Sequence, residues 1–279
     1  MVGDFACTSF DHAQYSDIYY CPKCKNGFIK DVISDGDNTF LIDGIKKYEE
    51  IVDKEYLKNI EGRYLTSRNI VKKYSQFFKD KNVLEVGAYY GAFAHEVLGI
   101  AKSYTGIELS KHAAAHLRNE YLNSFIFDGT VDEFRDRCPE NIGKFDTIVL
   151  FDVIEHVPDP IKILNILNSL LKDSGTIIFS TINIESSVCM ALGPFWPWYM
   201  DMHYYYFSDR GYKILLQRSG FLLRKHAHFG YRIHASYLVK KIISMIFGVR
   251  RIPSQIESLL KFMISIKTGE TVLVLGQKK

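Results

Sequence analysis

Val83-Leu84-Glu85-Val86-Gly87-Ala88-Tyr89-Tyr90-Gly91 is the stretch that decides the fold. An apolar strand runs into a turn punctuated by glycines, and a helical pattern over 91 to 99 follows. Gly87 and Gly91 permit a tight turn and close approach of a ligand to the backbone. The start of the helix beyond them offers unpaired N–H groups and the positive end of a dipole, which suit the carboxylate of a bound amino acid. Glu108 closes the next apolar run, Tyr104 to Leu109, 23 residues after Glu85. An acid at the end of that strand can accept from both hydroxyls of a ribose. Strand, glycine turn and acid, in this order, predict an adenosine-binding site.

Working outward, apolar runs keep alternating with helical patterns: Phe125 to Phe127 then 131 to 137, and Phe145 to Phe151 then 159 to 172, closing with Thr176 to Ile182. Strand-helix units in series imply a parallel sheet covered on both faces, because parallel neighbours need crossover connections. A helical stretch over about 46 to 79 precedes them, and residues 1 to 40, rich in Asp, Gly, Cys and Tyr, read as a loop-rich appendage. After 183 the chain turns aromatic, with Phe195-Trp196-Pro197-Trp198-Tyr199 and Tyr204-Tyr205-Tyr206-Phe207. Helix 208 to 219, strand 221 to 229, a helical insertion over 234 to 267 and a last strand, Thr271 to Leu275, complete the pattern. The expectation is an α/β, doubly wound, mostly parallel seven-stranded sheet with a Cys-bearing appendage (1–45) and a main domain (46–279). Within that domain, 80–182 forms the cofactor half and 183–230 the acceptor segment.

Apolar residues at 47% and charged residues at 24% exclude wholesale disorder, and a net charge of +3 is too small for the dense basic face of a nucleic-acid binder. Small-molecule chemistry is favoured. No apolar run approaches the ~18 residues of a membrane span and no basic head precedes an apolar one at Met1, so a cytoplasmic protein is expected. Five cysteines, with Cys21 and Cys24 spaced C-x-x-C, suit a reducing compartment and metal or packing better than disulfides.

The residues from Glu85 to Gly91, with Glu108, resemble the class I methyltransferase superfamily, whose first motif is E/D-x-G-x-G-x-G and whose second strand ends in an acid. The resemblance spans about 80 to 229. Asp128-Gly129 matches the acid that meets adenine after the third strand. Phe145 to Pro160, containing Asp152-Val153-Ile154-Glu155-His156-Val157-Pro158-Asp159-Pro160, looks like the fourth-strand motif of the ubiquinone-pathway O-methyltransferases. Tyr206-Phe207-Ser208 and Gly220-Phe221 are similar to the family's helix-and-strand ending. What the resemblance implies is a Rossmann-like fold, S-adenosylmethionine as cofactor, and cofactor contacts at Glu85, Gly87, Tyr89, Gly91, Glu108, Leu109, Asp128, Gly129 and Asp152. One departure stands out: Tyr89 occupies the place of the family's middle glycine. An NAD-dependent Rossmann enzyme is disfavoured because the third glycine of G-x-G-x-x-G is missing. A catalytically inactive S-adenosylmethionine-binding module remains an alternative.

Because a sulfonium methyl is already activated, the protein's tasks are alignment and proton removal. His156 and His203 are the candidate bases, with a loop-fixing hydrogen bond as the competing reading of His156. Asp152, Glu155 and His156, at i, i+3 and i+4, would share one face of a helical turn and offer a hard divalent ion three ligands, although many relatives with Glu-His hold none. Cys21-Pro22-Lys23-Cys24 looks like a knuckle of the zinc ribbon of sugar-modifying relatives, with Cys7 present, Asp4 in its partner's place and His12 as a substitute ligand; zinc and a decayed ribbon both stay open. The aromatic segment either packs or forms an acceptor wall, with Trp196 and Trp198 as its test residues. The acceptor expected is a small molecule, a glycan or a lipid-linked sugar. The insertion sets six basic residues against Glu257 beside two apolar helices, which suits peripheral contact at the inner membrane face or, alternatively, a lid or dimer surface.

Overall fold

The computed structural model describes residues 17–29, 56–57, 59–196, 198–200, 203–239, 243 and 259–279. A hairpin of β1 (Ile18–Tyr20) and β2 (Gly27–Ile29) is followed by helix α1 (Ile60–Lys73). Strand and helix then alternate through β3 (Asn82–Val86), α2 (Ala92–Val97), β4 (Ser103–Glu108), α3 (Lys111–Glu120) and β5 (Phe125–Asp128). The series continues with α4 (Val131–Arg137), β6 (Phe145–Phe151), α5 (Pro160–Leu170) and β7 (Leu171–Ile182). Beyond it lie α6 (Ser187–Leu192), β8 (Tyr205–Tyr206), α7 (Asp209–Arg218), β9 (Phe221–His234) and β10 (Met263–Lys278).

Seven strands form one sheet in the order β5-β4-β3-β6-β7-β10-β9. The first five in that order pair in parallel, and β10 runs antiparallel to both β7 and β9. From β3 the chain winds outward through β4 and β5, then returns to the other side of β3 as β6. The crevice beyond the carboxyl ends of β3 and β6 is therefore where a doubly wound sheet takes its ligand.

Alternation along the strands builds the two covering layers. Leu84, Ile148, Leu150, Ile177 and Phe179 point to one face, where Phe134, Leu167 and Tyr212 from α4, α5 and α7 meet them. Val83, Val149 and Ile178 point to the other, against Ile70, Phe93 and Leu117 from α1, α2 and α3. Both faces of these strands are buried, which is why they read as unbroken apolar runs. Each fully buried side chain of this kind contributes about 1.5–3 kcal/mol. Helix starts are fixed locally: Ser110 accepts from Ala113 N–H, and Thr130 with Glu133 forms a capping box.

The expected helical insertion requires correction at its end. His234 closes β9, and residues 263 to 267 are strand: Met263↔His234 through Ile266↔Tyr231 pair as an antiparallel extension of the sheet. Alternation of Met263, Ile264, Ser265, Ile266 and Lys267 permits this pairing, and tertiary pairing overrides the helical periodicity read across the whole segment. Residues 235–239 are helical, and most of the segment between lies outside the described residues. Helix α5 also stops at Leu170, with Leu171 already paired to Phe145. Among the described residues no helix is long and apolar enough to cross a membrane.

Candidate functional site

At the carboxyl end of β3 the backbone turns sharply through Gly87 and Gly91, with φ of 74° and 76°. Neither turn tolerates a side chain: a Cβ on Gly87 would lie 2.5 Å from Val153 Cγ2, and one on Gly91 2.5 Å from the Tyr121 ring. Glu108, buried at the end of β4, accepts from Tyr89 N–H at 2.6 Å through Oε2 and from Ser110 N–H at 2.8 Å through Oε1. Burial raises its carboxyl above the usual range, opposed by the N–H groups of Ser110, Tyr89 and Leu109. A carboxylate has about four lone-pair sites, so each oxygen retains capacity for a further hydroxyl. Gly129 donates to the Glu108 carbonyl at 3.0 Å, which brings Asp128 alongside at the end of β5.

Glu85 sits beneath the turn on β3. Tyr104 O–H donates to its Oε2 at 2.5 Å, and burial, with the charge of Glu108 adding, pushes its carboxyl up to about 8 against that hydrogen bond. It supports the turn from inside. Tyr89 has φ of 45°, a conformation that costs a non-glycine residue about 1–3 kcal/mol and persists only where the surroundings impose it. Its ring meets Tyr56 edge-on at 4.5 Å and Tyr90 at 4.9 Å.

The second half of the site gathers at the end of β6. Asp152 also has a left-handed backbone, at φ 56°, and its carboxylate accepts from Ser180 Oγ at 2.6 Å and from Tyr231 O–H at 2.7 and 2.9 Å. The expected single helical face of Asp152, Glu155 and His156 does not form. Asp152 is in a left-handed conformation and engaged by β7 and β9, while 154–156 is a 3-10 turn. The trio that does come together is Glu155, His156 and His203, whose ligand-type atoms all lie within 4.8 Å of one another. Such a carboxylate and two imidazoles can hold a divalent transition metal. Glu155 is buried, accepts from Thr181 Oγ1 at 3.2 Å, and is raised well above the carboxylate range by burial and by the charge of Asp152.

His203 is 3% exposed, with its ring 4.6 Å from that of half-buried His156. Its Nδ1 lies 2.8 Å from the Trp198 carbonyl. A carbonyl only accepts, so Nδ1 carries the proton and Nε2 keeps its lone pair. Burial, and then neighbouring His156, holds this imidazole well below the ordinary histidine range. The segment carrying it is anchored from two sides: Tyr204 N–H donates to the Glu155 carbonyl, while β2 pairs with β8 and its Ile29 N–H donates to the Tyr204 carbonyl. Trp196 is fully buried and donates to Glu270 at 2.7 Å, so it packs and is no open wall; Trp198 is half-buried.

Cys21 and Cys24 lie on the turn between β1 and β2. The N–H groups of Cys24 and Lys23 face the Cys21 sulfur and hold its thiol below the ordinary range, whereas burial raises that of Cys24. Cys7 and His12 lie outside the described residues. The sequence reading missed Tyr56, Ser180, Thr181 and Tyr231. Ser180-Thr181 closing an otherwise apolar strand was a usable signal; Tyr231, on a strand remote from every motif, gave none.

A family model described as a methyltransferase domain matches residues 56–226. Among curated relatives, the ubiquinone biosynthesis O-methyltransferase of Glaesserella parasuis is 32% identical over 117 residues, 40% of this chain and 50% of that protein. The enzyme of the same name from Vibrio campbellii is 28% identical over 151 residues, 50% of this chain and 62% of that protein. The match thus spans about half to three-fifths of those relatives. In three dimensions the chain resembles a SAM-dependent methyltransferase, possible histamine N-methyltransferase, of Thermotoga maritima (TM-score 0.55, 20% identity, 84% of this chain and 98% of that one). It also resembles a SAM-dependent methyltransferase of Archaeoglobus fulgidus (TM-score 0.52, 17% identity, 77% and 94%). Those likenesses concern the fold; the family model, covering more than half the chain, settles kinship, and this protein belongs to the methyltransferase domain family of class I, S-adenosylmethionine-dependent methyltransferases.

Proposed function

We propose that this chain transfers the methyl group of S-adenosylmethionine to a hydroxyl of a small, uncharged acceptor. The observation that carries the reading is Glu108, buried at the end of β4 with both oxygens oriented by backbone N–H groups, beside a glycine turn that no Cβ could enter. That set fits an adenosine: the Glu108 oxygens offer acceptors for ribose hydroxyls, and the glycines let the backbone turn sharply at the end of the strand. When bound, the cofactor supplies an already activated methyl. The chain's own part is to exclude water, orient the acceptor and receive its proton.

For the proton, His156 is the better placed imidazole, because it is half exposed while His203 stands buried behind it. His203 supports it as a neutral ring fixed by the Trp198 carbonyl. The curated relatives are named for O-methylation in ubiquinone biosynthesis. Aromatic and imidazole surfaces on the acceptor side suit a phenol or a sugar ring, free or lipid-linked. At the N-terminal knuckle, N–H groups directed at Cys21 favour its thiolate, and the C-x-x-C spacing to Cys24 suits structural zinc with ligands from the preceding residues. The exposed Leu259 and Phe262, flanking Lys261, suit contact with an anionic lipid surface.

Titration calorimetry with S-adenosylmethionine and S-adenosylhomocysteine tests the cofactor reading, with micromolar affinity expected; absence of binding to both would sink it. Radiolabelled methyl cofactor with fractionated small-molecule extracts then tests transfer. Label reaching no fraction, despite binding, would leave a cofactor-binding module without catalysis.

A further inference from the structure

Tyr89 serves the glycine turn through its backbone N–H, which orients Glu108, while its side chain has no part in ribose recognition. It holds a left-handed backbone without being glycine. What its ring gains is an aromatic neighbourhood, with Tyr56 and Tyr90 packed edge-on against it. This group already receives a cation: the Arg63 guanidinium lies over the Tyr56 face, 4.3 Å from the ring centre. Burial pushes the Tyr56 phenol above its ordinary range, and its ring packs against those of both Tyr89 and Tyr90 in the turn.

The ligand's own covalent geometry places its charge nearby. With the ribose hydroxyls on Glu108, the sulfur follows a few bonds later on the ribose 5′ carbon. Tyr89 is tied to that same carboxylate through its backbone N–H at 2.6 Å. A side chain anchored there would lie near the sulfur of a ligand so held.

Resting on the cofactor reading above, we propose that Tyr89, backed by Tyr56, is a specificity-determining residue that distinguishes the positive sulfonium of S-adenosylmethionine from the neutral thioether of S-adenosylhomocysteine. The electron-rich face of an aromatic ring attracts a cation and offers a neutral sulfur little by comparison. The consequence is a site that holds the methyl donor and releases the spent product. Glycine at this position would leave the turn relaxed and the discrimination to the acids alone.

Calorimetry with three ligands reads this directly: S-adenosylmethionine, S-adenosylhomocysteine, and sinefungin, which carries an ammonium near the place of the sulfonium. Tyr89→Leu should lose about three- to thirtyfold in affinity for the two cationic ligands, the range of a partly desolvated cation–aromatic contact. Its affinity for S-adenosylhomocysteine should stay within about twofold, and Tyr89→Phe should keep the wild-type preference. Tyr56→Leu, read the same way, should show a smaller loss of the same sign and serves if Tyr89→Leu does not fold. Equal losses for all three ligands would reduce Tyr89 to packing and overturn the proposal, as would unchanged affinities. Wild-type protein binding none of them would instead remove the cofactor reading itself.

Discussion

The two halves of the site are assembled by different means. On the cofactor side the decisive bonds are short in sequence and made by backbone: Ser110 N–H reaches Glu108 two residues away, and Tyr89 N–H reaches it across 19. On the acceptor side they are made by side chains over long separations. Tyr231 to Asp152 spans 79 residues, Trp196 to Glu270 spans 74, and Ser208 Oγ to Asn26 Oδ1 spans 182. A cofactor common to a whole family is met by a turn that the chain cannot form otherwise. The proposed acceptor side is instead built from contacts that join elements far apart in the chain.

If this division holds, the largest effect belongs to Gly87→Val, which adds a side chain at φ 74° against Val153. Binding of S-adenosylhomocysteine should fall below detection by calorimetry. Retained affinity would mean that the turn is less committed than its geometry implies. Glu108→Ala should weaken the same ligand by about 1.5–3 kcal/mol, the scale of hydrogen bonds to a charged group.

Glu85→Gln probes the support beneath the turn through pH. The native carboxyl is raised from 4.5 to about 8, so the folded state keeps a proton that the unfolded chain has released. The stability this contributes is fully present below 4.5 and is lost as pH rises toward about 8. The wild-type melting temperature should therefore decline across that window, and Glu85→Gln should flatten the decline; parallel profiles would contradict the shift. Tyr231→Phe is expected to be the mildest, costing about 1–2 kcal/mol of stability by chemical denaturation while Ser180 still holds Asp152. Its cofactor affinity should stay within about twofold. Should it weaken cofactor binding as much as Glu108→Ala does, the two halves are one unit.

The same division explains what could be read in the sequence. The succession of strands and helices, the glycine turn and Glu108 were legible because alternation, punctuation and spacing are local properties, and the chain from β3 to β7 offers little else. Glu155, His156 and His203 were each legible, but their meeting was not, since it depends on Tyr204 docking against the Glu155 carbonyl from 49 positions later in the chain. The misread residues 263 to 267 follow the same rule: their apolar content fits a helix or a strand, and only β9 as a partner decides it. Tyr231 joins the site through that pairing, so no local pattern could have announced it.

The chain has two tryptophans, and both lie in the segment proposed to meet the acceptor, at 196 and 198. One is sealed against Glu270 at the base of the β9–β10 extension, and the other supplies the carbonyl that orients His203. Ultraviolet emission excited at the indole band therefore reports on this half of the molecule and is nearly silent about the other. Acceptors can be screened by eye of the spectrometer alone, unlabelled, with the cofactor already in place.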